Sequence, residues 1–205
     1  MSNQHTSINS QTTYTDQVFK GIHLDGQRIH STEFYDCKFI RCSFAETIFS
    51  GCRFVSCTFR GCDLSLLQLP GCTFSATRFE DSKVIGVDWT QADWSATTLG
   101  EPISFFKSTL NHATFIGLDL KGIEIKDCIA ANVDFREADL SRADFTGTDL
   151  SESLFVNTDL SAADLSRARN YNIAPGQNNI KQAKFSLPEA MSLLYHLDID
   201  LIEEI

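Results

Sequence analysis

A five-residue repeat of large apolar side chains runs through most of this chain and limits the folds open to it. From Phe19, every fifth position up to Leu99 is large and apolar. A second run, offset by one residue, extends from Phe105 to Leu165, and only Ala130 in it is small. Of the 16 phenylalanines, 14 lie on these runs. A period of five fits neither an α-helix nor a plain strand, so the sequence predicts a solenoid of short units.

Each unit fits a short extended piece followed by a corner. In extended backbone the residue two before the large centre points to the same side, and the residue between them points outward. The inward position two before the centre is Ala, Cys, Ser, Thr or Val in 23 of the 30 units. One large and one small inward side chain per unit would fill a narrow core without voids.

The cysteines support the same repeat. All seven occupy the small inward position: Cys37, Cys42, Cys52, Cys57, Cys62, Cys72 and Cys128. Six of them form pairs 20 residues apart, which would stack about 4.8 Å apart if four units complete one coil. An odd number of inward thiols favours reduced core residues over disulfides or metal ligands.

Three units carry a resemblance to a known family: Ala138–Arg142, Ala143–Gly147 and Ala163–Arg167 resemble the A-(D/N)-L-x-x consensus of pentapeptide-repeat proteins. The resemblance covers residues 17–167. It implies an all-β solenoid, a right-handed quadrilateral β-helix with four units per coil and about 7.5 coils. At ~4.8 Å per coil the rod would be roughly 36 Å long, close to one turn of B-DNA.

The interruptions of the repeat divide the chain. We predict a flexible polar N-terminus at 1–16, a first repeat run at 17–99 and a second at 105–168. Between the runs, 100–104 holds a one-residue slip, which either widens the core locally or bends the rod. Several quinolone-resistance (Qnr) proteins of this family carry loops that project from the coil, and the predicted slip is too short for one.

The last segment, 169–205, is predicted to be a loop followed by a helix that caps the rod. Ser186 and Glu189 fit a capping box, with the helix running to about His196. This tail resembles those of the topoisomerase-protecting branch, which includes the Qnr, microcin-immunity and albicidin-resistance proteins. The resemblance implies a homodimer joined end to end. The expected dimerisation residues are Leu193, Leu194, Leu197, Ile199, Leu201 and Ile202.

Charge is unevenly distributed along the chain, whose formal net charge is −10. Residues 1–100 carry 8 Lys+Arg and 10 Asp+Glu, whereas residues 101–205 carry 9 and 17. This balance argues against direct nucleic-acid binding, which needs a basic surface. It suits a protein partner with a basic surface.

Acidic residues recur just before the centres of the second run, where side chains point outward. They form two columns with a spacing of 20 residues: Asp119, Asp139 and Asp159, and Glu124, Asp144 and Asp164. One interpretation is an ordinary solvated face, with aspartates hydrogen-bonded near the corners. The other is a ladder of carboxylates that imitates DNA phosphates and binds a protein partner.

The sequence contains no catalytic or metal-binding signature, so we predict neither enzymatic activity nor a cofactor. It contains no apolar stretch resembling a signal peptide or a membrane span, and we expect a cytoplasmic protein without membrane contact. The first hypothesis is a DNA mimic that binds DNA gyrase or topoisomerase IV and protects it from toxins or quinolone-like drugs. The alternative is a generic interaction scaffold or effector module.

Overall fold

The computed structural model describes residues 4–5, 7–95, 103–199 and 202, and it shows a parallel β-solenoid of about eight coils. At ~4.8 Å per coil the rod is about 38 Å long. Short strands and two 3-10 helices, Trp89–Gln91 and Glu189–His196, occur along the coil. The strands are β1 Gln4–His5, β2 Thr13–Thr15, β3 Val18–Lys20, β4 Arg28–His30, β5 Glu33–Tyr35, β6 Lys38–Ile40, β7 Ile48–Ser50, β8 Arg53–Val55, β9 Thr58–Arg60, β10 Thr73–Ser75, β11 Thr77–Glu80, β12 Ile103–Phe106, β13 Glu124–Lys126, β14 Asp164–Leu165 and β15 Lys184–Phe185.

Every strand pairing between these strands is parallel, as coiling in one direction requires. The longest sheet has the order β1-β3-β6-β9-β11-β12-β13, and a four-stranded sheet has the order β10-β8-β5-β2. The strands β4 and β7 pair with each other, as do β14 and β15. Phe19 lies beside Phe39, and Phe39 beside Phe59. This 20-residue step confirms four units per coil.

The core is built from the predicted centres. All of them from Phe19 to Trp89 and from Phe105 to Leu165 are buried. Along the rod the rings stack face to face, with 4.4 Å between the centroids of Phe39 and Phe59. Across the rod they meet edge to face, as do Phe34 and Phe39 at 5.3 Å. Both are favourable arrangements of aromatic quadrupoles.

The small inward position satisfies its polar atoms within the coil. The Thr47 hydroxyl donates to the Leu24 carbonyl at 2.7 Å, and the Cys57 thiol lies 3.4 Å from the Phe34 carbonyl. All seven thiols are buried and unbridged. Burial raises the pKa of Cys128 to about 12, and the hydrogen bond to the stacked Cys37 together with burial raises the pKa of Cys57. Cys57 and Cys128 therefore stay protonated at neutral pH, whereas the hydrogen bond with Cys62 lowers the pKa of its stacked partner Cys42.

The coil includes two strands before residue 17, so the predicted flexible polar N-terminus at 1–16 is wrong for the residues that the structure describes there. Strand β1 pairs with β3, and β2 pairs with β5. Tyr14 is buried and stacks on Phe34 with 5.4 Å between centroids. Its hydroxyl accepts a hydrogen bond from the Asn9 backbone N–H at 2.9 Å. Tyr14 therefore acts as a centre five residues before Phe19.

The break between the runs holds six extra residues, and the predicted one-residue slip at 100–104 is wrong. Strands β11 and β12 pair so that Phe79 lies beside Phe105, 26 residues further on. This register stacks the two rings 5.1 Å apart, whereas a one-residue slip would have put Phe105 beside Val84. The extra residues fall between Trp94 and Ile103. The predicted centre Leu99 lies outside the described residues.

Removing the six residues Thr97–Pro102 should leave the coil intact. The deletion joins Ala96 to Ile103 and restores a five-residue step from Trp94 to Phe105. Ala96 would then take the corner position at which Ala76 and Ala162 adopt positive φ. Because loop closure depends weakly on length, we expect a change in the free energy of unfolding within about 1 kcal/mol in urea denaturation.

The control is the five-residue deletion Thr97–Glu101, which leaves one residue too many and puts Pro102 at a corner where φ is positive. Proline cannot adopt that φ, so this variant should be much less stable. A one-residue slip predicts the opposite, because deleting one whole unit would preserve it. A five-residue deletion as stable as the unaltered protein would therefore contradict the six-residue insertion.

Candidate interaction surfaces

The two predicted acidic columns exist as surface features of the coil. Backbone bridges place Asp119 beside Asp139 and Asp139 beside Asp159. On the neighbouring face, bridges join Glu124 to Asp144 and Asp144 to Asp164. Successive carboxylates therefore lie on adjacent coils, at a repeat of ~4.8 Å. The prediction that each set stacks on one face is confirmed, whereas its role in binding remains a prediction.

Most of the column aspartates also stabilise a corner. One carboxylate oxygen accepts the backbone N–H two residues on, which closes an Asx turn. The distance is 3.1 Å from Ser141 to Asp139, and 2.9 Å from Thr146 to Asp144. Asp159 and Asp164 make the same bond, to Ser161 and Ser166. This fixed geometry leaves the second oxygen for other contacts.

Lysines within the columns reduce their negative charge, which the spacing of the acids did not predict. The Lys121 ammonium lies 2.9 Å from Asp119 and 3.2 Å from Asp139. The Lys126 ammonium lies 2.6 Å from Glu124 and 2.8 Å from Asp144. Lys184 contacts Asp164 at 3.0 Å. The contacts of Lys121 and Lys126 could have been predicted from the sequence. Each lysine follows an acidic column position by two residues and therefore lies on the same outward side of the strand.

These contacts shift the ionisation of both partners. Hydrogen bonds to Asp144 and Glu124 raise the pKa of Lys126 to about 12. Burial disfavours the charged form of Asp139, but hydrogen bonds from Ser141 and Lys121 outweigh it and lower the pKa of this carboxyl. A carboxyl whose pKa is lowered in the folded protein stabilises the fold at pH values above its ordinary pKa. This contribution is lost as the pH falls. The pKa values of Asp144, Asp159 and Asp164 are lowered as well, so these carboxyls and that of Asp139 stay ionised at neutral pH.

Two further aspartates with the same corner bond lie on the other faces of the second half. The Asp134 carboxylate accepts from the Arg136 backbone at 3.1 Å, and that of Asp149 accepts from Ser151 at 3.1 Å. Asp134 is also paired with the Arg136 guanidinium at 2.7 Å. Because the same bond occurs off the columns, it marks a structural role that aspartate plays throughout the coil.

The C-terminal segment continues the coil for longer than predicted. Strand β15 pairs with β14, so Phe185 lies beside Leu165. The predicted capping box does not form, because Pro188 occupies the N-cap position and makes no side-chain hydrogen bond. Instead, Ser186 Oγ accepts from the Arg167 backbone N–H at 3.1 Å, and Glu189 Oε1 accepts from that of Asn170 at 2.6 Å.

The side chains of Ser186 and Glu189 take the place of the carbonyl groups that a further coil would supply. Elsewhere the corresponding N–H groups donate to a carbonyl 19 residues on, as Arg142 does to Ser161 at 2.8 Å. Ser186 and Glu189 also lie 19 residues after their donors, and their side chains supply the oxygen. The residues predicted to start a helix therefore close the end of the solenoid, where they bond backbone N–H groups that another coil would otherwise bond.

The predicted dimerisation residues are divided between this cap and the solvent. Leu193 packs against the core and Leu194 is half-buried. Leu197 and Ile199 are about half exposed, at 50% and 51%, and Ile202 is 86% exposed. Leu201 lies outside the described residues. Leu187 and Tyr195 add further exposed apolar area, so this end of the rod carries a patch of the kind that marks interaction sites.

Within the part of the chain that the structure describes, no three His, Cys, Asp or Glu side chains group in a way that could hold a metal ion. Over the same residues, no helix is both long and apolar enough to cross a membrane.

Comparison with known proteins identifies the repeat. A family model described as "Pentapeptide repeat region" matches residues 32–103, and one described as "Pentapeptide repeats (8 copies)" matches 125–155 and 134–169. No protein among the curated sequences matches the chain.

Solved structures share the fold at low sequence identity. Full-length QnrB1, described as a plasmid-mediated fluoroquinolone resistance protein, is 17% identical over 96% of this chain and 100% of its own, with a TM-score of 0.64. HetL from the cyanobacterium Nostoc, a pentapeptide-repeat protein involved in the regulation of heterocyst differentiation, is also 17% identical over 85% of each chain, with a TM-score of 0.55. The repeat, the four-unit coil and these matches agree, and the chain belongs to the pentapeptide-repeat proteins.

Proposed function

We propose that this protein binds a type II topoisomerase such as DNA gyrase at the basic surface that holds DNA, and protects or modulates the enzyme against toxins or quinolone-like drugs. The observation that carries the proposal is the pair of adjacent acidic columns. Their carboxylates repeat every ~4.8 Å on a rod about as long as one turn of B-DNA. Positively charged DNA-binding surfaces attract such arrays as they attract phosphates.

Two further observations support this proposal. The fold is shared with QnrB1, a fluoroquinolone resistance protein. The six-residue insertion between Trp94 and Ile103 also removes an argument against drug protection, because the predicted slip was too short for a loop. Catalysis by this chain is not needed, since occupying the DNA site is enough to change the enzyme's response.

A scaffold function in another pathway is the second candidate. HetL has a similar fold and is involved in the regulation of heterocyst differentiation, so the solenoid is also found in a protein with a regulatory role. Under this alternative the surfaces described above bind a different protein, and the topoisomerase is unaffected.

Gyrase supercoiling with titrated protein, with and without a fluoroquinolone, tests the first proposal. We expect relief of drug inhibition at low protein concentration, or direct inhibition of supercoiling at high concentration. An unchanged assay in both arms would rule out gyrase and favour the scaffold function. Topoisomerase IV decatenation under the same conditions extends the test to the second candidate enzyme.

We also propose that two copies join end to end through the apolar end of the rod. The exposed Leu197 and Ile199 would be covered in such a homodimer. Replacing both with serine should turn a dimer into a monomer in sedimentation velocity, because each loses apolar area worth about 25 cal/mol per Å². Serine at Val156, an exposed apolar residue on the side of the rod, is the control and should leave the dimer unchanged.

A further inference from the structure

One face of the rod has a charge pattern that reverses along its length. We call it the long face: the outward residues on either side of the buried centres from Phe19 to Phe185 in the longest sheet and its continuation through β14 and β15. The upstream column reads Val18, Lys38, Thr58, Arg78, Ser104, Glu124, Asp144, Asp164 and Lys184. The downstream column reads Lys20, Ile40, Arg60, Glu80, Phe106 and Lys126, followed by Thr146, Ser166 and Ser186.

The reversal is centred on the level of Ser104 and Phe106. One coil before it, Arg78 and Glu80 stand in the order positive, negative, with 2.6 Å between Arg78 Nε and Glu80 Oε1. One coil after it, Glu124 and Lys126 stand in the order negative, positive, also at 2.6 Å. Three coils before it stands Lys38, and three coils after it stands Asp164.

An aromatic side chain lies at the centre of this pattern. Phe106 is half-buried on the outside of the coil, unlike the core phenylalanines. The Arg78 guanidinium carbon lies 3.6 Å from its ring centroid, and the Lys126 ammonium lies 5.9 Å away. These cations hold the ring from both neighbouring coils. Aromatic residues and arginine are both enriched in protein interfaces.

We propose that the long face binds the long face of a second copy in antiparallel orientation, with a two-fold axis beside Phe106. A two-fold axis along the strand direction brings each column against the same column of the partner, in reversed order. Arg78 then meets Glu124 of the second copy, and Glu80 meets its Lys126. Lys38 meets Asp164, Phe106 meets the second Phe106, and along both columns no charge meets a like charge.

Size and charge predict the strength of this contact. The face is about 40 Å long, and a three-residue strand is about 10 Å wide, which gives about 400 Å² per copy. Stable interfaces bury about 800 Å² per partner, so this dimer should be weak. Arg78 is already paired with Glu80 within each copy, and Glu124 with Lys126. Docking would place one pair against the other, so that four charges form each contact. The association should therefore be tightest at about 0.01 M salt and lost at about 1 M.

The contact has a consequence for the proposed function, although it does not depend on it. It covers Glu124, Asp144 and Asp164, which form one of the two acidic columns. Self-association and binding of a basic partner would then compete for the same carboxylates.

Cysteine cross-linking tests the position of the axis. The seven native thiols are buried, so Phe106→Cys introduces a thiol on the outside of the rod. We expect this variant to form a disulfide-linked dimer under mild oxidation at low salt, and much more slowly at high salt. Val55→Cys, on the outside of strand β8 in another sheet, is the matched control. Cross-linking of Phe106→Cys no faster than the control would overturn the proposal.

Charge reversal tests the pairing. Arg78→Glu and Glu124→Arg should each abolish salt-sensitive self-association in sedimentation velocity, because each opposes like charges. An equal mixture of the two should associate again, since both contacts of the mixed dimer become complementary. Arg53→Glu makes the same charge change on the four-stranded sheet and should have no effect.

These measurements are made in the background of the serine variant of Leu197 and Ile199, which removes the proposed end-to-end contact. In that background, self-association that survives both reversals would overturn the proposal, as would failure of the mixture to associate.

Discussion

Replacing Phe39 with alanine should lower the free energy of unfolding by about 3–5 kcal/mol, the usual cost of removing a buried aromatic ring. Phe39 is fully buried. It stacks on Phe19 at 5.0 Å and on Phe59 at 4.4 Å, and it meets Phe44 edge to face at 5.8 Å. Its removal leaves a void between three coils, and the stacked rings of Phe19 and Phe59 on either side cannot move to fill it. Urea denaturation followed by circular dichroism measures the change.

Two controls separate this effect from the general loss of an aromatic residue. Phe39→Leu keeps most of the volume and should cost much less than alanine. Tyr195→Ala removes a side chain that is 73% exposed and should change stability by no more than about 0.5 kcal/mol. A loss below about 1 kcal/mol for Phe39→Ala would show that the stacked rings do not hold the coils together.

Replacing Asp139, Asp144, Asp159 and Asp164 with asparagine should abolish binding to gyrase and leave the fold intact. The asparagine oxygen can still accept the backbone N–H that closes each corner, so the substitution removes charge and keeps the turn. Exposed ion pairs contribute up to about 1 kcal/mol each, so four lost pairs weaken binding by as much as ~1000-fold. Surface plasmon resonance against immobilised gyrase measures the loss.

A matched variant makes this result specific to the columns. Asp63, Asp88, Asp134 and Asp149 make the same corner bond away from the columns. Their replacement with asparagine changes the net charge equally and should leave most of the affinity. Equal losses in both variants would show that gyrase responds to overall charge and not to the two columns.

The repeat was predictable because one physical requirement, a large centre every five residues, is written directly in the sequence. Its ends were not, because the N-terminal coil uses Tyr14 instead of phenylalanine and the last coil closes with Ser186 and Glu189. These two side chains looked like a helix start, since a capping box needs the same residue types. Only the position of Arg167 and Asn170, 19 residues earlier, assigns them to the solenoid end.

The length of the break was predicted wrongly for a different reason. Leu99 satisfies the five-residue period, so the sequence favoured a slip of one residue over an insertion of six. The register of a parallel sheet depends on which strands pair, and here Phe79 pairs with Phe105.

For the candidate site, the spacing of the acids predicted the columns, but not the lysines that pair with them. Those contacts depend on side-chain reach across a coil, which the period does not encode.

Displacement of DNA from gyrase is the most direct test of the proposal that this protein occupies the enzyme's DNA site. A fluorescently labelled duplex bound to gyrase is titrated with the protein, and the anisotropy of the duplex is followed. We predict that the duplex is released as the protein binds, and that the asparagine variant of the columns releases none. Binding of the protein while the duplex stays bound would contradict the proposal.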